Sequence, residues 1–324
     1  MRELSILIPS RNEMFLARTI QDILENIEAD TEIIAVMDGQ WTDPPIVDND
    51  RVNIIRTGKP VGQRAATNLG AKLSRAKYVM KVDAHCSFDK GFDRKMIEGF
   101  KKMGDDNTMV PIMRNLWAFD WKCKQCGKKW YQGPTPTKCK EEKYKVTGKP
   151  CESKRFMRKM IWVGKKRPQS VSYCFDASPH FQYFNQYKKT EDFKKQFESG
   201  FTETMSLQGS AFMCTRENFW KLKLSEEELG SWGNQGIEVA CKTWLSGQKV
   251  LVNHNTWYAH MFRTQGGDFS FPYEQRGKNV SRTKKAVKDL IWNNKLDNQV
   301  HPLSWLVKRF SPPGWTKEDI DKLK

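Results

Sequence analysis

An acidic residue and a histidine stand two positions apart in the segment Lys81-Val82-Asp83-Ala84-His85. Alternate side chains of an extended segment lie on the same side, so the Asp83 carboxylate and the His85 imidazole can reach one ion. Oxygen and imidazole ligands suit Mn²⁺, or alternatively Mg²⁺, and such an ion can bridge a diphosphate. The segment therefore predicts a metal site. The competing interpretation is that Asp83 caps the turn after the strand.

Four cysteines form a second candidate metal site. Cys123 and Cys126 are separated by two residues, Cys139 follows after twelve more, and Cys151 after a further eleven. The first pair is typical of a tetrahedral zinc site, whereas the second pair lacks the usual short spacing. The surrounding segment is so polar that it has little apolar surface to hold a fold without metal. We predict structural Zn²⁺ here and ordinary buried positions for the other cysteines, which are Cys86, Cys174, Cys214 and Cys241.

The elements that position Asp83 are indicated by apolar runs alternating with helical patterns in the first 115 residues. Strands are predicted at residues 4–8, 33–37, 52–55 and 78–82, and helices at residues 12–27 and 62–73. Continuous apolar runs separated by helices imply a parallel sheet covered on both faces. Ligands bind at the carboxyl ends of the strands in such sheets, where Pro9, Ser10, Asp38 and Asp83 lie.

This regular pattern ends at Trp117. Residues 117–169 are rich in lysine and offer few core positions, and compact patterning returns with a strand at 207–214, a helix at 236–245 and a strand at 250–252. We therefore expect residues 1–116 and 170–277 to form the two halves of one α/β domain. Residues 117–169 would be a basic insert, and residues 278–324 a basic, partly helical C-terminal extension.

The net charge of +17 is concentrated in the predicted insert. Between Lys122 and Arg167 the chain carries 16 Lys and Arg against 3 acids, whereas the rest of the chain is close to balance. Such a surface attracts nucleic acid, anionic lipid or acidic polysaccharide, unless it serves only solubility. No apolar run is long enough to span a bilayer, and the first residues lack signal-peptide architecture. We expect a cytoplasmic protein without disulfides and without a membrane partner.

Three segments of the first half resemble glycosyltransferases of family 2 with the GT-A fold. They are residues 5–13 (SILIPSRNE), 35–43 (AVMDGQWTD) and 62–71 (GQRAATNLGA), in the order and at the approximate spacing of that family. The resemblance implies a Rossmann-like α/β domain that binds a UDP-sugar, with residues 1–116 as the nucleotide-sugar half and the Cys₄ segment as a zinc-ribbon-like insert. The residues implied to bind the nucleotide-sugar are Pro9, Ser10, Asn12, Glu13, Asp38, Arg64 and Asp83.

The second half resembles the polypeptide N-acetylgalactosaminyltransferases. The matching segments are residues 206–212 (SLQGSAF), 232–238 (WGNQGIE) and 257–263 (WYAHMFR). The resemblance implies that residues 170–277 hold the sugar and the acceptor, with Gly209 and Trp232 at the nucleotide-sugar. It also implies that His260 is the third Mn²⁺ ligand beside Asp83 and His85. A lone histidine would otherwise be interpreted as a packed core residue.

One position departs from that family. Gln235 and Gly236 stand where those enzymes have Glu and Asn, and glutamine cannot act as a base, although it can bind a sugar hydroxyl. Glu238 is then the nearest carboxylate and the predicted base of an inverting reaction, while in a retaining one it would only orient substrate. Its alternative role is to complement the helix dipole. A basic side chain, Arg263 or Arg64, would assist the departing diphosphate.

The acceptor is predicted from the insert. Its basic residues could bind nucleic acid and its aromatic residues could stack on bases, as in bacteriophage enzymes that add sugars to hydroxymethylated DNA bases. We therefore expect transfer to 5-hydroxymethylcytosine in double-stranded DNA, in the host cytoplasm if the chain is viral. The basic residues are Lys128, Lys129, Arg155, Arg158, Lys165, Lys166 and Arg167, and the aromatic ones Trp130, Tyr131, Tyr144, Phe156 and Trp162.

Two alternatives stay open. The acceptor can instead be a protein Ser or Thr or a cell-envelope glycan. The chain can also be a non-catalytic nucleic-acid-binding module on an enzyme scaffold. The intact residues Asp83, His85 and His260 argue against the module, whereas Gln235 argues for it. The sequence leaves the donor sugar, the stereochemistry and the oligomeric state open.

Overall fold

The first half of the chain forms the predicted parallel sheet. The computed structural model describes residues 2–142, 145–273 and 278–323. Four strands pair in parallel in the order β4-β1-β2-β3. The elements are β1 (Leu4–Ser10), α1 (Leu16–Asn26), β2 (Thr31–Asp38), β3 (Val52–Thr57), α2 (Gln63–Leu73) and β4 (Tyr78–Val82). Leu7 packs into one core and its neighbours Ile6 and Ile8 into another, so β1 is buried on both faces, as its continuous apolar run predicts.

The predicted basic insert is joined to this sheet by long strands. After β5 (Cys86–Phe88) and α3 (Phe92–Met103), the chain forms β6 (Asn107–Cys123), β7 (Lys129–Tyr131) and β8 (Phe156–Ser170). Strand β6 runs in the main sheet and then pairs in antiparallel fashion with both β7 and β8. The paired strands β6 and β8 are here called the ribbon. Residues 123–155, here called the cysteine lobe, connect them and include β7, which pairs back along β6.

The ribbon is well packed, contrary to the expectation of few core positions. Phe119, Trp121 and Trp162 form a buried cluster with Phe15 and Phe269. The Trp162 indole also donates a hydrogen bond of 3.0 Å to the buried Asp22 carboxylate in α1. These contacts attach the ribbon to the first half of the chain.

The second half makes the sheet mixed rather than parallel. It contains β9 (Tyr173–Phe175), β10 (Phe181–Tyr183), α4 (Glu191–Phe197), β11 (Phe201–Glu203), β12 (Ala211–Thr215), α5 (Arg216–Lys221), α6 (Gln235–Leu245) and β13 (Lys249–His260). Strand β12 is antiparallel to β4 and β6, and β13 is parallel to β6, giving the order β11-β13-β6-β12-β4-β1-β2-β3. Residues 207–210, predicted as strand, precede β12 as a loop.

The C-terminal region is helical, as predicted, and it is part of the core. It consists of α7 (Lys278–Trp292), α8 (Leu303–Phe310) and α9 (Lys317–Asp321). Leu303, Leu306 and Phe310 are buried, and Phe310 meets the Trp244 ring of α6 edge-on at 5.4 Å. The predicted boundary at residue 277 lies outside the described residues, and the four-part division stays a prediction. None of the described helices is both long and apolar enough to cross a membrane.

Candidate active site

A cavity of about 310 Å³ opens where β1 and β4 end and α6 begins. This is the location expected for a ligand site in an open α/β sheet. It brings together most of the residues predicted to act on substrate: Pro9, Ser10, Glu13, Asp83, His85, Gly209, Trp232, Gln235, His260 and Arg263. Four predicted residues do not line it, namely Asn12, Asp38, Arg64 and Glu238.

Asp83, His85 and His260 place their ligand atoms within 4.8 Å of one another. The His260 Nε2 lies 3.2 Å from Asp83 Oδ2 and 3.1 Å from His85 Nε2. Asp83 and His85 follow β4, and β13 pairs with β5 so that His260 lies opposite Cys86. This set of one carboxylate oxygen and two imidazole nitrogens fits a divalent ion such as Mn²⁺.

The His85 ring is oriented by a second carboxylate. Its Nδ1 lies 2.8 Å from Glu13 Oε2, which leaves Nε2 to face Asp83 and His260. Arg263 also pairs with Glu13, with 3.0 Å between Arg263 Nη1 and Glu13 Oε2. A carboxylate on the far nitrogen of a ligating histidine fixes the tautomer that binds metal. Glu13 is thus suited to position a ligand rather than to contact substrate.

The protonation of this group suits metal binding. Burial alone raises the pKa of the Asp83 carboxyl, but the Lys81 ammonium and the two histidines outweigh burial and hold that pKa well below its usual value. Lys81 itself pairs with Asp83 and donates a hydrogen bond of 2.6 Å to the Gly209 carbonyl. Burial lowers the pKa of His260, so its imidazole stays neutral. The Asp83 carboxylate and the His260 imidazole are therefore available as ligands at neutral pH.

Several polar atoms in the cavity wall are buried and have no partner among the described residues. They are the side-chain amide nitrogen and oxygen of Gln235, Nδ2 of Asn234, Nδ1 of His260, Nε of Arg263 and the hydroxyl of Tyr273. Buried polar groups without partners carry a free-energy cost unless a ligand or water satisfies them. The residues that carry these atoms all line the cavity, which suits a polar ligand.

Gly209 and Gly236 allow the α6 N-terminus to lie directly against the loop before β12. A Cβ on Gly236 would lie 2.1 Å from the Leu207 carbonyl oxygen, and one on Gly209 would lie 3.1 Å from the Gly236 nitrogen. Glycine at position 236, where the resembled family has Asn, is thus required by backbone contact in this chain. The contact places Gln235 beside Gly209 in the cavity wall.

Glu238 does not reach the cavity, and this placement does not fit the base role predicted for it. Its side chain is fully buried, and Arg64 Nη2 lies 2.6 Å from Glu238 Oε2. The Lys242 ammonium lies 3.0 Å from the other oxygen. Arg64 is also fully buried and donates to the carbonyls of Gly230 and Gly233, so it is not free to bind nucleotide. Both residues hold α2, α6 and the loop before α6 together.

Two other predicted nucleotide-binding residues make hydrogen bonds to backbone groups. Asp38 accepts hydrogen bonds from the backbone of Val61 and Gly62 at 2.6 and 2.9 Å, which fixes the loop before α2. Asn12 has a positive φ of 50° and its side chain donates to the Pro272 carbonyl. Neither side chain lines the cavity, because each is already hydrogen-bonded to backbone groups nearby.

Several residues in the cavity wall were not predicted from the sequence. Gln63, Gln208 and Asn234 contribute polar side chains, and Phe181 and Tyr273 contribute aromatic rings. Asn234 and Gln208 lie within segments that resemble the family, where neighbours of matched residues could have been included. Phe181 and Tyr273 carry no sequence signal, because each reaches the cavity only through tertiary packing.

The four cysteines of the lobe form a cluster that could bind a metal ion. Their sulfur atoms lie within 4.8 Å of one another, and all four are free thiols. The Cys126 and Cys139 sulfurs are 3.5 Å apart, and the Cys123 and Cys151 sulfurs 3.9 Å. Hydrogen bonds from the backbone of Cys126 and Gln125 and from the Cys126 and Ser153 side chains outweigh burial and lower the pKa of Cys123 to about 6. A thiolate at neutral pH favours metal binding. Burial raises the pKa of Cys139 to about 12.

The predicted nucleic-acid-binding residues divide into two groups. Lys129, Arg155, Arg158, Lys165, Lys166 and Arg167 are exposed, whereas Lys128 is half-buried and pairs with Glu141 at 3.1 Å. Among the aromatic residues only Tyr131 is largely exposed, while Trp162 is buried and Trp130 and Phe156 pack against the cysteines. The buried Trp162 ring is therefore not free to stack on bases, the other two rings are only partly exposed, and Tyr144 lies outside the described residues.

Comparison with solved structures supports the same fold. The crystal structure of GalNAc-T7 with UDP, GalNAc and Mn²⁺ is 18% identical, with a TM-score of 0.59, and the match covers 90% of this chain and 49% of that one. The crystal structure of TarS from S. aureus is 11% identical, with a TM-score of 0.50, and the match covers 95% of this chain and 43% of that one. At these identities the likeness establishes the fold alone.

Sequence comparison gives two matches. "Putative polypeptide N-acetylgalactosaminyltransferase 13" from Drosophila melanogaster is 24% identical over 287 residues, which cover 83% of this chain and 43% of that protein. The chain thus spans less than half the length of this relative. Residues 5–163 match the family model described as "Glycosyl transferase family 2". This match, over just under half of the chain, and the shared α/β architecture make the chain similar to GT-A glycosyltransferases of family 2.

Proposed function

We propose that this chain transfers a sugar from a UDP-sugar to a hydroxyl acceptor in a Mn²⁺-dependent reaction. The observation that carries the proposal is the meeting of two features in one cavity. Asp83, His85 and His260 form a divalent-ion ligand set, and the same cavity is lined by residues whose side chains carry buried polar atoms without described partners. A nucleotide-sugar supplies both the diphosphate that such an ion binds and the hydroxyl groups that such atoms need.

Each side chain then has a distinct role. Asp83, His85 and His260 would hold Mn²⁺, which when bound supplies positive charge against the departing diphosphate. Glu13 keeps the Nε2 of His85 directed at the ion site, and Arg263, held by Glu13, adds a cation at the cavity wall. Gln235 lies against Gly209 with its amide free, and we assign it to a sugar hydroxyl.

The surroundings of the cavity favour retention of anomeric configuration. Among the described residues that line it, the only carboxylates are Glu13 and Asp83, and both are paired with cations or histidines. Inversion requires a free base that takes the proton of the attacking hydroxyl. In its absence the acceptor proton passes to an oxygen of the departing UDP while the new glycosidic bond forms.

A polypeptide hydroxyl is the first candidate acceptor. The support is the resemblance of residues 206–212, 232–238 and 257–263 to the polypeptide N-acetylgalactosaminyltransferases, together with the relatives named above. These segments contribute Gly209, Trp232, Gln235 and His260 to the cavity. UDP-N-acetylgalactosamine is accordingly the first donor to test, before UDP-N-acetylglucosamine and UDP-glucose.

A hydroxymethylated base in DNA is the second candidate acceptor. It is favoured by an exposed patch on the ribbon and the lobe. There Lys165 Nζ lies 4.9 Å from the centre of the Tyr131 ring, and the centres of the Trp117 and Tyr131 rings are 5.9 Å apart. Val163 is exposed and pairs across the strands with Trp117. Exposed rings beside lysine can bind both the bases and the phosphates of nucleic acid.

The test is UDP release and product mass from the full chain with each UDP-sugar and Mn²⁺. A Ser/Thr peptide mixture and 5-hydroxymethylcytosine DNA are supplied in parallel as acceptors. A hexosamine adduct on peptide supports the first candidate, and an adduct on DNA supports the second. Absence of Mn²⁺-dependent UDP release with all donors and both acceptors would refute the proposed activity. The variant Asp83→Asn serves as the inactive control.

For the cysteine lobe we propose structural zinc. Four sulfurs within 4.8 Å match the all-cysteine ligand set of such sites. Among the described residues, the only rings packed against them are Trp130 of the lobe and Phe156 of the ribbon. With so little apolar surface, the lobe depends on the ion for its fold. One zinc per chain in metal analysis is the expected result, and its retention in a variant lacking Cys139 and Cys151 would refute the assignment.

A further inference from the structure

The chain after β13 forms a wall of the cavity. Residues 263–273, here called the wall segment, contribute Arg263 and Thr264 at one end and Phe271, Pro272 and Tyr273 at the other. Between these ends the segment turns away from the cavity toward the cysteine lobe. Its middle contains Gly266 and Gly267, both with positive φ, and Phe269, whose ring is buried against the ribbon.

The cysteine lobe is hydrogen-bonded to the middle of the wall segment. Thr135 donates two hydrogen bonds to Asp268, from its backbone nitrogen to Oδ1 at 2.9 Å and from its hydroxyl to Oδ2 at 2.6 Å. Gly133 lies so close that a Cβ there would be 2.3 Å from the Gln265 side-chain oxygen. The Gly133 carbonyl is itself held at 3.0 Å by the Trp121 indole of the ribbon.

The loop that contains Thr135 lies between two of the cysteines. Residues 127–138 connect Cys126 to Cys139, whose sulfur atoms are 3.5 Å apart. An ion bound by both sulfurs closes the loop at its base and fixes where Thr135 can lie. Without the ion, the loop keeps the pairing of β7 with β6 and the hydrogen bond between Trp121 and Gly133, but its Cys139 end loses the link to Cys126.

From Asp268 the contacts continue to the proposed Mn²⁺ site. Arg263 Nη2 donates to the Asp268 carbonyl at 3.1 Å, and Arg263 Nη1 pairs with Glu13 at 3.0 Å. Glu13 in turn holds the Nδ1 of His85 at 2.8 Å. The lobe and the cavity are thus connected by successive direct contacts. The lobe makes its contact at the Asp268 carboxylate, through Thr135.

We propose that the cysteine lobe, loaded with zinc, is a positioning element that holds the wall segment in place over the nucleotide-sugar cavity. Thr135 and Asp268 are positioning residues in this arrangement, since neither lines the cavity. Losing zinc or the Thr135 hydroxyl frees the segment, and the cavity then binds nucleotide less tightly. The proposal rests on the proposed function only in naming UDP with Mn²⁺ as the ligand.

The first experiment compares Thr135→Val with Thr147→Val in the full chain. Both threonines are exposed in the same lobe, but Thr147 makes no described contact with the wall segment. We expect hydrogen exchange of residues 264–272 to become about threefold to tenfold faster in Thr135→Val alone, with a similar rise in the Kd for UDP with Mn²⁺. Thr135→Ser, which keeps the hydroxyl, restores both values.

The second experiment removes the zinc by the paired change Cys139→Ser and Cys151→Ser. We expect zinc content to fall to zero and hydrogen exchange of residues 264–272 to rise at least as much as in Thr135→Val. Unchanged exchange in Thr135→Val, or in folded zinc-free protein, would overturn the proposal. If the cysteine variant does not fold, the threonine series decides alone. Exchange is measured without turnover, so absence of sugar transfer would refute the proposed function and leave this inference standing.

Discussion

The variant Glu238→Gln separates a structural role of Glu238 from the catalytic role predicted from sequence. Glu238 is fully buried and paired with Arg64, also fully buried, and with Lys242, which is 4% exposed. Glutamine has nearly the same shape but no charge, so both cations would remain buried with too little negative charge beside them. Breaking a buried ion pair from one side costs about 3–5 kcal/mol.

For a chain of this size, each kcal/mol lowers the melting temperature by about 2 °C, so we expect a fall of about 6–10 °C. The assay is thermal unfolding combined with UDP release at a temperature where the variant is folded. The control Glu226→Gln removes a second partner of Lys242, at 2.6 Å, but leaves the Arg64 pair intact, so its fall in melting temperature is expected to be smaller. An unchanged melting temperature with a rate lowered about a thousandfold would instead identify Glu238 as a catalytic base and refute this reasoning.

Three further predictions concern the ion site, a backbone contact and pH. Asp83→Asn weakens the proposed ion site, so UDP binding loses its Mn²⁺ dependence, as calorimetry with and without the ion will detect. Gly236→Ala places a methyl 2.1 Å from the Leu207 carbonyl and costs about 1–3 kcal/mol in urea unfolding, whereas Gly58→Ala, with nothing within 4 Å, costs little. Burial lowers the pKa of His254 to about 4 in the folded protein. As pH falls, this histidine is therefore protonated in the unfolded chain before it is protonated in the folded one. Stability is therefore lost between about pH 6.5 and 4, by up to about 3 kcal/mol, and this part of the loss disappears in His254→Gln.

The strands and helices of the first half could be predicted because their pattern is local. A buried parallel strand is a short continuous apolar run, and the predicted strands at 4–8, 33–37, 52–55 and 78–82 each lie within an observed one. The positions of Asp83 and His85 at a strand end follow from the same pattern. That these two residues lie beside His260 could be predicted only from the family resemblance, because β13 is far from β4 along the chain.

The role of Glu238 could not be predicted, because its burial depends on partners distant in sequence. Arg64 lies 174 residues earlier, and its charge is matched only after α2 and α6 pack together. The ribbon was missed for a related reason. Its lysines dominate the composition, while the few large rings that pack inward, such as Phe119 and Trp162, lie on opposite strands and form a core only after pairing.

The pairing of Cys123 with Phe156 gives the molecule a modular construction. The chain leaves the ribbon at one of these residues and returns at the other, directly across from it. A two-residue hairpin could therefore replace residues 124–155 without changing the register of either strand. Such a replacement would also remove β7 and the Trp130 ring that packs against the ribbon, while β6 and β8 would keep their own pairing.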